Sequence, residues 1–233
     1  MILKAPNIDC THGFSTRYGG VSSGAFSSMN LGGSDDKPEN ILENRQLFLK
    51  QFSRVPEQLC NLKQVHGTAV QIAIAGQQEG DALVCNQKDL VIAVSIADCF
   101  PVLFHDKINQ VIGAAHAGWR GTVSKIAEHT LNRMLELGAQ KEHVQVAIGQ
   151  GISKENFEVG EEVIDQFKQA GFPDELLSNR HIDLAGCNSF VLRQCGIPEQ
   201  NIWQMNRCTY EEDFFSYRKD KGVTGRMWAV ISL

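Results

Sequence analysis

No stretch of this chain approaches the roughly 18 consecutive apolar residues that a membrane-spanning helix requires, so no membrane partner is expected. Positive charge is in deficit: 22 Lys and Arg face 27 Asp and Glu, for a net charge of −5. That balance gives no global cationic footprint for nucleic acid, although local cations on an acidic protein still suit phosphate-bearing small molecules. The Met1-Ile2-Leu3-Lys4-Ala5-Pro6 start lacks the apolar core of a secretory signal. The seven cysteines are scattered and include no Cys-x-x-Cys pair. An odd set of thiols without an export signal points to reduced cysteines in a cytoplasm. Internal repeats, low-complexity tracts and flexible linkers are also missing. The 233 residues are enough to bury a sizeable core, and one domain over 1–233 is expected.

What is present reads as a mixture of strands and helices. The segment from Ser15 to Gly24 is rich in Gly and Ser and predicts hairpin and loop. Pro38 opens a helix whose apolar side is expected to carry Ile41, Leu42, Phe48, Leu49 and Phe52, with Asp35 and Asp36 near its positive end. Val70, Ile72 and Ile74 alternate as in a half-buried strand. From Leu90 to Phe104 the chain is almost continuously apolar except at Asp98-Cys99. A second apolar strand runs from Val111 to His116, and β-branched content favours strand for both. One helix is expected from Gly121 to Gly138. A strand follows over Val144–Ile148, then a helix around Val163, Ile164 and Phe167, and another between Asp183 and Gly196. A last strand is expected over Met227–Leu233.

The densest local motifs surround His66, Cys99 and His116. Two imidazoles and a thiol are suitable ligands for a zinc ion with an open fourth position, which would make the site catalytic rather than structural. Taken singly, each histidine is better explained as a hydrogen-bonded structural residue and the cysteine as an inert small hydrophobe. Their spacing joins them in no short metal motif. Asp98 is costly to bury without a partner, and could orient a ligand or move a proton. The Gly118-Trp119-Arg120-Gly121-Thr122 segment leads into a helix, so its free N–H groups and the Arg120 guanidinium would suit a phosphate. A glycine turn with Arg120 in a surface ion pair is the plainer alternative. Arg17, in the Gly- and Ser-rich loop, is a second candidate for an anionic substrate.

These motifs together resemble the YfiH/YlmD family, a laccase-domain (FAMIN-like) group also linked to peptidoglycan editing. The resemblance runs through His12-Gly13-Phe14-Ser15-Thr16-Arg17, Asn30-Leu31-Gly32, Glu43-Asn44-Arg45, Gln64-Val65-His66-Gly67 and Asp81-Ala82-Leu83. It continues through Ala97-Asp98-Cys99, His116-Ala117-Gly118-Trp119-Arg120-Gly121, Phe157-Glu158-Val159-Gly160, Phe214-Phe215-Ser216-Tyr217-Arg218 and Thr224-Gly225-Arg226. It implies an α+β fold, a layered mixed β-sandwich with helices on the outside. It also implies zinc on His66, Cys99 and His116, with phosphorolysis of adenosine, inosine, guanosine and methylthioadenosine and deamination of adenosine. One departure is Gln150, where the family often has proline.

On that reading the partners are a purine nucleoside and phosphate. Cys99 and Asp98 serve catalysis, and Arg17 and Arg120 meet the phosphate. A Cys99 nucleophile activated by His116 or His66, hydrolysing an amide in a peptidoglycan precursor, uses the same residues without metal. Copper-dependent oxidation of phenols is a third reading, since two histidines and a cysteine also bind copper. Seven scattered histidines are few for a multicopper centre.

Overall fold

The computed structural model describes residues 2–33 and 35–233, so Met1 of the N-terminal stretch lies outside the described residues. The chain opens with β1 (Ile2–Leu3), β2 (Thr11–Ser15) and α1 (Pro38–Lys50). Four short strands follow: β3 (Leu59–Lys63), β4 (Val70–Ile72), β5 (Gly76–Glu79) and β6 (Ala82–Cys85). The centre is built from β7 (Val91–Ile96), β8 (Phe100–Asp106), β9 (Val111–Ala117), α2 (Trp119–Val123), α3 (Ile126–Glu136) and β10 (Val144–Ile148). The last part holds α4 (Glu161–Gln169), β11 (Leu177–Ser178), β12 (His181–Ile182), α5 (Leu184–Gln194), β13 (Ile202–Gln204) and β14 (Met227–Ser232).

Two mixed six-stranded sheets carry the fold, in the orders β1-β2-β14-β7-β3-β5 and β13-β10-β8-β9-β6-β4. Their facing sides form one apolar layer that includes Phe14, Ile92, Val94, Leu103, Ile112, Ala114, Ala147 and Ile231. Each such large side chain contributes about 1.5–3 kcal/mol by leaving water. The outer face of the second sheet is covered by α3, α4 and α5 through Leu131, Met134, Phe167, Val191 and Leu192. The outer face of the first sheet packs on α1 through Phe48 and Leu49. The result is the expected α+β sandwich with helices outside.

Layering explains the sequence pattern. In β8 and β9, Val102, Phe104, Val111 and Ala115 face the helices, while Leu103, Ile112 and Ala114 face the other sheet. A strand buried on both sides reads as a continuous apolar run rather than an alternation. Gly113 is required by this packing, because a Cβ there would stand 2.9 Å from Met134 Sδ.

Three local expectations are corrected. Leu42 on α1 is 55% exposed. The buried place is taken by Asn44, whose amide accepts from Val21 N–H at 2.8 Å and donates to Ser22 Oγ and Asn30 O at 2.9 Å, tying the Gly- and Ser-rich loop to the helix. Second, the helix expected from Gly121 to Gly138 is two helices, broken at Lys125, which takes the left-handed conformation at φ 60°. The apolar spacing runs through the break without Gly or Pro to mark it. Third, Ile72 and Ile74 point outward at the sheet edge and Ala73 is the buried residue. Of the three residues expected on the buried side, Val70 packs against the core, and the strand ends at Ile72.

Candidate metal centre

The chain passes between the sheets at two neighbouring places. Residues 64–69 lead from β3 in the first sheet to β4 in the second, and residues 97–99 lead from β7 to β8. His66 and Cys99 lie on these crossings, and His116 is the penultimate residue of β9. One ring nitrogen of each histidine and Cys99 Sγ all lie within 4.8 Å of one another. The imidazoles meet edge to face, with centroids 4.9 Å apart.

Asp81 organises this cluster and was assigned no role from sequence. Its carboxylate is fully buried. It accepts Nδ1–H of His116 at 2.9 Å and the main-chain N–H groups of Val65, His66 and Gly67 at 3.3, 3.0 and 2.7 Å. Those N–H groups converge because His66 adopts φ 60°, a left-handed conformation that a non-glycine residue keeps only when its surroundings compensate. The only sequence signal was an acid at the start of an apolar strand, which must find a partner.

Gly118 completes the cluster. A Cβ at this position would sit 3.0 Å from Cys99 Sγ and 3.2 Å from His66 Cδ2. Glycine therefore lets the thiol and imidazole close on the turn before α2.

The electrostatics favour a deprotonated thiol. Burial pushes the Cys99 thiol up, but the charge and hydrogen bond of His116, joined by those of His66, outweigh it and bring its pKa down to about 6. Burial likewise works against a charged His116, yet Cys99 and Asp81 raise it to about 9. Asp81 is also opposed by burial, and the hydrogen bonds from His116 and Gly67 hold it below the usual carboxylate range. Two imidazoles, one thiolate and a carboxylate behind one imidazole make a chemically suitable donor set for a zinc-like ion.

A cavity of about 420 Å³ opens over the cluster. Its remaining wall includes Asp98, Phe157, Tyr217, Arg218 and Arg226. Asp98, at φ 91°, uses its carboxylate to accept from Thr209 Oγ1 at 2.6 Å, Ser216 Oγ at 2.7 Å and the Arg218 N–H at 2.7 Å. It thus anchors the segment that carries Tyr217 and Arg218. The guanidinium of Arg218 lies 5.5 Å over the Phe157 ring, and that of Arg226 lies 5.6 Å over Tyr217.

The other two arginines singled out from sequence are placed elsewhere. Arg17 stacks 4.6 Å over Phe215 and donates to Ser27 O, while Arg120 is exposed and stacks 4.4 Å over Trp119. Neither lines the cavity. The cations that do, Arg218 and Arg226, lay in motifs already recognised, but nothing in their spacing tied them to His66. Gln150 is buried between the sheets, donating to Ser15 O at 3.1 Å, and is likewise absent from the cavity wall.

A sequence model described as multi-copper polyphenol oxidoreductase laccase matches residues 11–233. The chain belongs to this laccase family. It is 44% identical to a purine nucleoside phosphorylase of Deinococcus radiodurans, over 100% of this chain and 92% of the relative. It is 34% identical to an adenosine deaminase named RL5, from an unknown prokaryotic organism, over 97% of this chain and 95% of the relative. The fold matches the crystal structure of YlmD from Geobacillus stearothermophilus with a TM-score of 0.90 and 31% identity, over 98% of this chain and 93% of that one. Within this laccase family, the chain thus resembles members of the YfiH/YlmD group that its motifs resembled.

Proposed function

We propose that this chain is a zinc-dependent purine nucleoside phosphorylase in which 1–233 acts as one catalytic domain in the cytoplasm. Its substrates on this reading are inorganic phosphate with adenosine, inosine, guanosine or methylthioadenosine, and adenosine deamination is a second activity. The observation that carries the proposal is the grouping of His66, Cys99 and His116 under a cavity walled by two arginines and two aromatic rings. The names of the relatives above support the reaction class. A volume of about 420 Å³ suits a nucleoside-sized ligand.

His66, Cys99 and His116 would hold the metal, and Asp81 would fix the His116 tautomer so that Nε2 faces it. When bound, zinc supplies a Lewis acid and lowers the pKa of water beside the purine. In phosphorolysis a phosphate oxygen bonds to ribose C1′ as the C1′–N9 bond breaks, and the electron pair leaves with the purine. Arg218 and Arg226 are assigned to the phosphate in place of Arg17 and Arg120. Arg218 Nη1 donates to Glu158 O and Arg226 Nη1 to Thr224 O, so each fork is oriented before an anion arrives. Phe157 and Tyr217 wall the cavity beside these arginines and are assigned to the purine. Asp98, with three hydrogen bonds already accepted, acts by positioning Arg218 rather than by moving a proton. In deamination, water adds at purine C6 and ammonia departs.

The deciding experiment incubates the purified protein with inosine, with and without phosphate. Equimolar hypoxanthine and ribose 1-phosphate that require phosphate, and that disappear in Cys99→Ser, support the proposal. Release of hypoxanthine at the same rate without phosphate contradicts it.

A second reading is favoured by one specific observation. Cys99, His116 and Asp81 form a nucleophile, base and orienting acid in series, as in cysteine hydrolases acting on amides. It predicts hydrolysis that survives chelation and is abolished by alkylation of Cys99. Copper in the same donor set is the lesser alternative. Among the described residues, only this group of three or more His, Cys, Asp or Glu side chains is placed to share a metal, which suits a single ion better than a multicopper cluster.

A further inference from the structure

Two sequence blocks, Asn30-Leu31-Gly32 and Glu43-Asn44-Arg45, do not line the metal cavity, and the first reaches its edge through the Arg226 main chain, which bonds to Asn30 Oδ1 and to the Leu31 N–H. The fold nevertheless brings them to one place. On the outer face of the first sheet lies a small cavity of about 120 Å³, whose wall includes Gly32, Gly33, Arg45, Asn61, Gln77 and Ser95. Arg45 stacks with its guanidinium 5.0 Å over Trp228, and its Nε donates to Leu31 O at 2.9 Å. No carboxylate among the described residues pairs with it, and burial lowers its pKa with no acid to oppose the shift. A half-buried guanidinium without a counter-charge is costly to the fold.

The polar groups around it are uncommitted. The side chains of Asn61, Gln77 and Ser95 make no hydrogen bond among the described residues. Asn61 and Gln77 are paired in register on β3 and β5, so both point to the same side of the sheet. Gly32 borders the same space, where a Cβ would come into ordinary contact with Ser95 Oγ at 3.6 Å and Arg45 Nη2 at 3.8 Å. The wall therefore offers a planar cationic fork, the amides of Asn61 and Gln77 and a hydroxyl, with no acid, while a third amide in the wall, that of Gln64, is held by the Ser95 main chain. That chemistry recognises an oxyanion. The volume is about four times that of a water molecule in the liquid, which fits a tetrahedral oxyanion.

We propose that this cavity is a second ligand site, binding a free tetrahedral oxyanion of the inorganic phosphate class on Arg45, Asn61, Gln77 and Ser95. The site shares structure with the metal cavity without being part of it. Asn30 Oδ1 accepts the Arg226 N–H at 2.8 Å, and Arg226 lines the metal cavity. The Gln64 side chain brackets Ser95, accepting its N–H at 2.7 Å and donating to its carbonyl at 2.8 Å, two residues before His66.

The test is equilibrium dialysis of full-length protein against radiolabelled inorganic phosphate, comparing wild type with Arg45→Met and Asn61→Asp. Asn61→Asp leaves the stack on Trp228 in place and gives Arg45 the carboxylate it lacks, so a loss there with unchanged circular dichroism is not a folding failure. Each variant is expected to bind one phosphate fewer per chain than wild type, whether the metal cavity itself holds one phosphate or none. Excess sulfate should displace the equivalent that the variants lose. Equal stoichiometry in wild type and a folded Asn61→Asp overturns the proposal. Because the readout is a difference in bound phosphate, it stands or falls separately from nucleoside cleavage.

Discussion

Asp81 and His116 are joined twice: the Asp81 carboxylate lies 2.9 Å from His116 Nδ1, and the Asp81 carbonyl accepts the His116 N–H at 2.8 Å. One residue thereby sets both the backbone and the ring of a candidate ligand. The same carboxylate gathers the N–H groups at His66, so two of the three candidate ligands depend on it.

Asp81→Asn should accordingly weaken zinc affinity by about 10–100-fold, the usual cost of losing a group that orients a ligating histidine. Titration against a competing chelator measures this directly. Wild-type affinity in the variant would mean that the orientation of His116 is set by something else.

Cys99 should react with iodoacetamide in the metal-free protein along a titration centred near pH 6, where its thiolate forms. The pKa is lowered, so reactivity appears on the alkaline side of about 6 rather than near the usual thiol value of about 8.5. Mass spectrometry of the Cys99 peptide across pH 5–9 reads the midpoint. Added zinc should suppress the labelling.

Arg218→Met should raise the KM for phosphate by roughly 10-fold or more, the equivalent of losing a charge-assisted hydrogen bond worth about 1.5–3 kcal/mol. Initial rates with varied phosphate at saturating inosine are the measurement. An effect confined to the nucleoside KM would move Arg218 from the phosphate to the base.

Gly118→Ala places a Cβ 3.0 Å from the Cys99 sulfur. Metal content should fall by at least half, while the melting temperature changes little, because the strain is local to the turn. Elemental analysis and a thermal scan on the same preparation separate the two effects.

Stability should decline on acidification in two windows. Burial lowers the pKa of His12 and His105 in the folded state. The unfolded chain then binds more protons, so stability is lost as pH falls through about 6.5. Asp81 and Asp106 are held low by hydrogen bonds despite their burial, so their contribution is present above the unfolded value of about 3.9 and lost below it. Melting temperatures from pH 8 to 3 should show both declines, and His12→Gln should diminish the first.

Much of the sandwich was legible because doubly buried strands impose long apolar runs, as in Val91–Ile96 and Val111–Ala117. The break at Lys125 was not legible, since a left-handed residue without Gly carries no mark in the apolar spacing. Motif content singled out His66, Cys99 and His116, but their proximity is a product of two crossings between sheets that no spacing rule encodes. Arg218 and Arg226 were missed as cavity groups for the same reason. Arg17 and Arg120 looked suitable by local context, yet neither lines the cavity over the cluster.

The two crossings have a mechanical consequence. His66 and Cys99 ride on segments leaving the first sheet and His116 rides on the second, so the donor atoms register how the sheets are seated on one another. A substitution in the middle of the apolar layer, such as Leu103→Ala, touches no group in the cavity. It would still shift one ligand against the other two, making coordination geometry a gauge of packing deep in the sandwich.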